Sequence, residues 1–182
     1  DRETHERRVR ERLADYEFDL LALDGYMRVL TAEFVDAMPT ILNVHPSLLP
    51  AFPGMDTHEQ VLESGVRLTG CTVHVVDATV DGGPIVTQEP IPVFEDDDAD
   101  SLKRRVLYEG EFSAYPRAVR LFATDQVSVE GDRVHHQESA TAAFPRRRLV
   151  SSERAATLRY GENPHPEAAV YADAGRTAAS VA

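Results

Sequence analysis

Apolar and polar positions alternate along this chain in two rhythms, and the rhythm changes mark its elements. Between Glu3 and about Ala14, Val9 and Leu13 recur among charged residues at helical spacing, which predicts an amphipathic helix. Phe18-Asp19-Leu20-Leu21-Ala22-Leu23 is a short apolar run closed by Asp24-Gly25, the profile of a buried parallel strand. Thr31 is placed to cap a short helix that runs to Met38, where Pro39 stops it. Ile41 to His45 reads as a second buried strand, ended by Pro46. A helix near His58 to Ser64 has Gly65 as its stop, and Thr69 to Asp77 alternates β-branched residues as a third strand would. Ile85 to Val93 predicts a fourth strand at a sheet edge, because Pro90 and Pro92 cannot donate to a neighbour. Asp96-Asp97-Asp98 puts negative charge where a helix start is positive, ahead of a long helix from about Asp100 to Ala123 that Pro116 is expected to kink. Val127-Ser128-Val129 and Arg133-Val134-His135 flank Glu130-Gly131-Asp132 as a hairpin.

Strands that alternate with helices point to an α/β sheet whose ligands sit at the strand C-terminal ends. The pattern covers residues 1–137; residues 138–148 are small, polar and basic, as a linker would be, and residues 149–182 are too short to fold alone. A length of 182 residues suits one domain plus a tail, and no run is long or apolar enough to cross a membrane. The chain opens without Met on Asp1-Arg2-Glu3-Thr4-His5, which has neither signal-peptide nor transit-peptide character. The expectation is a cytoplasmic protein cut at its N-terminus. The lone Cys71, beside Gly70, reads as a small buried apolar residue.

A net charge of −12 argues against nucleic-acid binding, which needs a basic face to neutralise phosphates. Lys103 is the single lysine, and an acid-rich, lysine-poor surface suits solubility in concentrated salt, where screening weakens self-repulsion.

Two stretches carry candidate chemistry. In Asn43-Val44-His45-Pro46-Ser47-Leu48-Leu49-Pro50, Asn43 and His45 are two apart on a strand and so share a face, at its C-terminal mouth. A carboxamide donates to a developing oxyanion and an imidazole moves a proton near neutral pH, so the pair equips a site for attack on a carbonyl. Taken bare, the same pair also serves as capping or core hydrogen-bonding groups. In Asp77-Ala78-Thr79-Val80-Asp81-Gly82-Gly83-Pro84, the glycines allow close backbone approach, and a carboxylate reaches His45 if the two strands are neighbours. Alone, that stretch is equally an Asp-Gly turn.

Asn43 to Pro50, followed by Pro53-Gly54 and Thr57-His58, resembles the signature of the glycinamide ribonucleotide transformylases. Asp81-Gly82-Gly83-Pro84 is similar to that family's aspartate loop, and Gly25-Tyr26-Met27-Arg28-Val29-Leu30 to its folate-side segment. The resemblance spans roughly residues 1–135 and implies a Rossmann-like formyltransferase fold with a mixed, mostly parallel sheet. The family's opening strand and glycine-rich phosphate-binding turn have no counterpart in this sequence, so the resemblance implies a domain without its N-terminal part. It implies transfer of a formyl group from 10-formyltetrahydrofolate, as co-substrate, to the amine of glycinamide ribonucleotide, a step of purine synthesis.

By the same resemblance Asn43 polarises the formyl oxygen, His45 is the general acid, and Asp81 holds His45 charged and helps shuttle the proton. Met27, Arg28, Val29 and Leu30, with Asp77, Ala78, Thr79 and Val80, line the pterin pocket largely through backbone groups. Glu111, five residues before Pro116, contacts the glycinamide end of the ribonucleotide. His58 and His74 read as structural, and His5, His135, His136 and His165 show no ligand-like grouping, so no metal is expected.

In the tail, Leu158-Arg159-Tyr160-Gly161-Glu162-Asn163-Pro164-His165 resembles the opening of the transformylase domain of AICAR transformylase/IMP cyclohydrolase, with Pro166 where Gln is usual. That implies Arg159 and Tyr160 as contacts to an aminoimidazole ribonucleotide in a second domain. Two related enzymes are alternatives: methionyl-tRNA formyltransferase, which shares the core motif, and formyltetrahydrofolate hydrolase, which would carry a different loop after it. A catalytically silent folate-binding module is the alternative of another class, and the intact Asn43, His45 and Asp81 set argues against it. Oligomeric state has no signature in the sequence.

Overall fold

A computed structural model describes residues 1–137 and a strand at 178–181. Helix α1 (Arg2–Leu13) leads to strand β1 (Leu20–Leu23), helix α2 (Ala32–Ala37) and strand β2 (Thr40–His45). Helix α3 (Thr57–Ser64), strands β3 (Leu68–Val75) and β4 (Ile85–Pro92), and helix α4 (Ala99–Arg105) follow. A π-helical segment (Val106–Glu111) joins α4 to α5 (Phe112–Ala123), and β5 (Val127–Glu130) and β6 (Arg133–His136) form a hairpin. Strand β7 is Ala178–Val181.

The main sheet has the order β4-β3-β2-β1-β7. Strand β1 pairs in parallel with β2 and with β7, whereas β3 runs antiparallel to both β2 and β4. The sheet is therefore mixed, with its described pairings divided evenly, a smaller parallel share than the mostly parallel sheet expected. All four residues of β1 are buried, as its unbroken apolar run requires, and β4 takes the edge that Pro90 and Pro92 tolerate.

Helix starts follow the capping chemistry of the sequence. Thr31 caps α2 by accepting from Phe34 N, and Glu6 of α1 in turn accepts from Thr31 N (2.9 Å) and Oγ1 (2.6 Å), which ties the two helices together. Asp98 and Ser101 cap each other at the start of α4. The long helix departs from regularity upstream of Pro116, in the π-helical turn that precedes α5. Gly110 lies there because a β-carbon at that position would stand 3.1 Å from Cys71 Sγ. Absence of a side chain lets the helix approach the sheet closely.

Two apolar clusters support the sheet. One joins β3 and β4 to α4 and α5 through Cys71, Val73, Ile91, Leu102 and Ala118; the other joins α1, β1, α2 and β2 through Leu13, Leu21, Leu30, Phe34 and Ile41. Cys71 is fully buried, and burial pushes its thiol up to about 12. Tyr115 Oη reaches the carbonyls of Leu23 (2.5 Å) and Leu42 (3.2 Å), which pins α5 to the C-terminal ends of β1 and β2. Among the described residues, no helix is long and apolar enough to cross a membrane.

Candidate active site

Strand β2 delivers Asn43 and His45 to its C-terminal end, as the apolar run ending at Pro46 requires. Its antiparallel neighbour β3 places His74 directly opposite Asn43. Residues opposite each other on paired strands share a face, so these groups converge without any loop having to fold over them.

The loop after β3 supplies the carboxylate. A β-carbon on Gly83 would lie 1.9 Å from Val75 O, so only glycine lets the loop fold back against the end of β3. Asp81, at φ 52°, turns its side chain inward from that loop. Asp81 Oδ2 accepts from Gly54 N at 2.8 Å and stands 3.3 Å from His45 Nδ1. The neighbour relation on which the Asp81 reading depended is thus met.

The other face of the His45 ring is fixed by the loop after β2. Nε2 lies 2.8 Å from the carbonyl of Phe52, a residue with φ 54°, unusual for a bulky side chain. Ser47 Oγ donates to Ala51 O (2.5 Å) and lies 3.3 Å from Phe52 O. Thr72 Oγ1 donates to Ser47 O and accepts from Leu49 N, and Gln88 Nε2 donates to Leu49 O, so β3 and β4 brace the whole loop. His45 is 4% exposed. Both ring nitrogens face acceptors, a carbonyl and a carboxylate, and Nε2 is anchored to backbone. Nδ1 faces the Asp81 carboxylate.

His74 belongs to the same cluster rather than to a separate core environment. Its Nε2 is 3.4 Å from Asn43 Nδ2 and 3.9 Å from Asp81 Oδ1, while Nδ1 is 3.1 Å from Val75 O. Burial lowers its pKa, against the opposing pull of the Val75 carbonyl and Asp81. Its place in the site depends on the β2–β3 register, which no local pattern in the sequence encodes.

The two segments expected at the pterin pocket differ in burial. Met27 (72% exposed), Val29 and Val80 present apolar surface to solvent, and Arg28, Ala78 and Thr79 are exposed beside them. Leu30 instead packs in the α1–β1–α2 cluster, to which Tyr26 and Val76 also belong, so both segments rest on one apolar base. Asp77 spends its carboxylate locally, accepting from Thr79 N (2.7 Å) and Oγ1 (2.5 Å). Glu111 closes the π-helical segment, and burial pushes its carboxyl up to about 6, with Asp24 adding to the rise and Lys103 opposing it.

One open groove, of about 1090 Å³, lies between α1 and α2 and is lined by none of the candidate residues; another, of about 580 Å³, is lined by His5, Gly25, Tyr26, Met27 and Arg28. Among the described residues, no group of three or more His, Cys, Asp or Glu side chains is arranged to hold a metal ion. Arg159 and Tyr160, and the junction between the linker and the tail, lie outside the described residues.

A family model described as formyl transferase matches residues 1–119. The chain is 47% identical over 118 residues to the trifunctional purine biosynthetic protein adenosine-3 of Gallus gallus, covering 64% of this chain and 12% of that protein. It is 38% identical over 129 residues to the phosphoribosylglycinamide formyltransferase of Escherichia coli, covering 70% of this chain and 60% of that one. The crystal structure of glycinamide ribonucleotide transformylase 1 from Symbiobacterium toebii superposes with a TM-score of 0.72 at 47% identity, over 76% of this chain and 65% of that one. A formyltetrahydrofolate deformylase from Pseudomonas syringae is also similar, with a TM-score of 0.69 at 28% identity. The chain thus spans less than two thirds of each of these proteins.

Proposed function

The chain belongs to the formyl transferase family, and from that premise we propose that the protein moves a formyl group from 10-formyltetrahydrofolate to the amine of glycinamide ribonucleotide. One observation carries this reading: Asn43 and His45 leave the mouth of one strand together, and Asp81 meets the His45 ring 3.3 Å away. An amide donor, an imidazole and a carboxylate at one mouth are what acyl transfer between nitrogens requires. The exposed apolar side chains of Met27, Val29 and Val80 fit the face of a pterin ring beside them.

The amine attacks the formyl carbon, and a carbon–nitrogen bond forms as the carbonyl oxygen takes up negative charge. Asn43 Nδ2 donates to that oxygen. The carbon–nitrogen bond to the folate then breaks, and His45 supplies a proton from Nδ1 to the departing nitrogen. The proton lost by the attacking amine returns through Asp81, which keeps the ring donating on that side. Glu111, at the end of the π-helical turn, receives the amine end of the ribonucleotide. The reaction belongs to the cytoplasm and to purine synthesis. By its motif, Leu158–His165 opens a second, AICAR transformylase-like domain in which Arg159 and Tyr160 contact the nucleotide, although Ala178–Val181 pairs with β1 in the first sheet.

The likeness to a deformylase makes water the competing acceptor. The test incubates the intact protein with 10-formyltetrahydrofolate and, separately, glycinamide ribonucleotide, methionyl-tRNA or buffer alone. Tetrahydrofolate should appear with the ribonucleotide only, in equal amount to formylated product. Release in buffer alone identifies a deformylase, formylated methionyl-tRNA identifies the other relative, and folate binding without turnover identifies a silent module.

A further inference from the structure

Asn43 can serve as an oxyanion donor only if its amide keeps its NH₂ group toward the reacting oxygen. A carboxamide is nearly symmetric in shape, so a flip would present a carbonyl lone pair to the developing negative charge and oppose it. Nothing within β2 prevents that flip, since Asn43 and its strand neighbours fix only the backbone. The restraint comes from across the sheet.

His74 lies opposite Asn43 in the β2–β3 register and is 2% exposed. Its two ring nitrogens face different chemistry. Nδ1 is 3.1 Å from Val75 O, a carbonyl that can only accept, so a neutral ring protonates Nδ1 and leaves Nε2 with a lone pair. Nε2 is 3.4 Å from Asn43 Nδ2, within reach of one amide hydrogen. The reverse tautomer would set an Nδ1 lone pair against the Val75 carbonyl in a buried place. Asp81 Oδ1, at 3.9 Å from Nε2, is too distant to reward that exchange with a hydrogen bond.

We propose that His74 is a positioning residue for formyl transfer: held in one tautomer by the Val75 carbonyl, it fixes the Asn43 amide with one hydrogen on Nε2 and the other free for the oxyanion. Desolvation of the buried ring, which lowers its pKa, supports the neutral form this arrangement needs. The same carbonyl is crowded by Gly83, so the turn that brings in Asp81 and the tautomer of His74 depend on one backbone position. This inference rests on the formyl-transfer reading, and on Asn43 as its oxyanion donor.

The test measures steady-state formyl transfer by the intact protein in four variants: His74→Phe, His74→Gln, Asn43→Ala and the double variant His74→Phe/Asn43→Ala. Phe keeps the ring volume without an acceptor, whereas the Gln carbonyl can stand near the Nε2 position. His74→Phe should lower kcat by about tenfold or more with KM nearly unchanged, as expected for the loss of a partner that orients a catalytic donor. Gln should restore most of the loss. The double variant should be no slower than Asn43→Ala alone, because a residue acting through Asn43 has nothing left to position. Normal kcat in His74→Phe, or losses that multiply in the double variant, would overturn the proposal.

Ring ¹⁵N resonances of His74 in the wild-type protein test it without turnover and apply even where a variant fails to fold. They should show a protonated Nδ1 and a bare Nε2; a protonated Nε2 would overturn it. If the wild type transfers no formyl group, the functional reading fails, and the tautomer still decides the geometry.

Discussion

Asp81 reaches inward from a left-handed backbone position, and its carboxylate serves two partners at once, Gly54 N and His45 Nδ1. Replacing it with Asn keeps an oxygen for Gly54 but removes the negative charge beside the ring. Asp81→Asn should therefore lower kcat by roughly 10²-fold, near the loss of an oxyanion donor, with a thermal midpoint close to wild type. A variant that turns over normally would remove Asp81 from the mechanism. Asn43→Ala is expected to lose about 10²–10³-fold in kcat, measured in the same assay. Glu111 offers a test in stability instead. Its folded pKa is raised from 4.5 to about 6 by burial, with Asp24 adding to the rise, so the folded state holds the proton more tightly than the unfolded chain. Its neutral form favours folding fully below the unfolded value, and that advantage is lost as pH rises through about 6, worth at most about 2 kcal/mol. Glu111→Gln should stabilise the protein in urea at about pH 7.5 and gain less at about pH 5.5. An equal gain at both would assign the effect to packing. Asn43, His45 and Asp81 were legible in the sequence because their motifs are local, two residues apart on a strand or within one turn. The partner of His74 is not legible there, since only the pairing of two strands separated by a helix reveals it.

The strands and helices were legible where their stop signals are chemical: Pro46 after β2, Gly65 after α3, the prolines of edge strand β4. The long helix was harder. It carries a π-helical turn at Val106–Glu111 that no local pattern announces, where Gly110 packs close to Cys71 and Ile91 of the sheet. What holds that helix in place is at its start. Arg105 makes paired hydrogen bonds to Asp97 (2.6 and 2.5 Å) and lies over the Phe94 ring at 4.2 Å, and Asp97 also accepts from Phe94 N. The Arg105 guanidinium, above all, holds the Asp97 carboxyl below its ordinary value. For a lowered carboxyl the stability is present above the unfolded pKa and lost as pH falls through the folded one, opposite in sign to Glu111. Asp97→Ala removes both of these hydrogen bonds from Arg105 and should cost about 1–3 kcal/mol in urea unfolding at neutral pH. A cost within about 0.5 kcal/mol would show the pair to be a surface contact.

At the scale of the whole chain, acidity is the dominant property. With a net charge of −12, the folded state carries self-repulsion that the expanded chain relieves. Salt shortens the screening length from about 10 Å at 0.1 M to about 3 Å at 1 M, so added sodium chloride should raise the thermal midpoint. A midpoint that falls over that range would show that specific ion pairs, rather than repulsion, dominate.

Each scale leads back to His45, anchored at one nitrogen by a backbone carbonyl and facing Asp81 at the other. The most direct measurement is kcat/KM for formyl transfer to glycinamide ribonucleotide by the intact protein and its His45→Ala variant, with folding checked by circular dichroism. A folded variant slower by at least about 10²-fold is the expected result. A folded variant that transfers formyl groups at a near-normal rate would contradict the account.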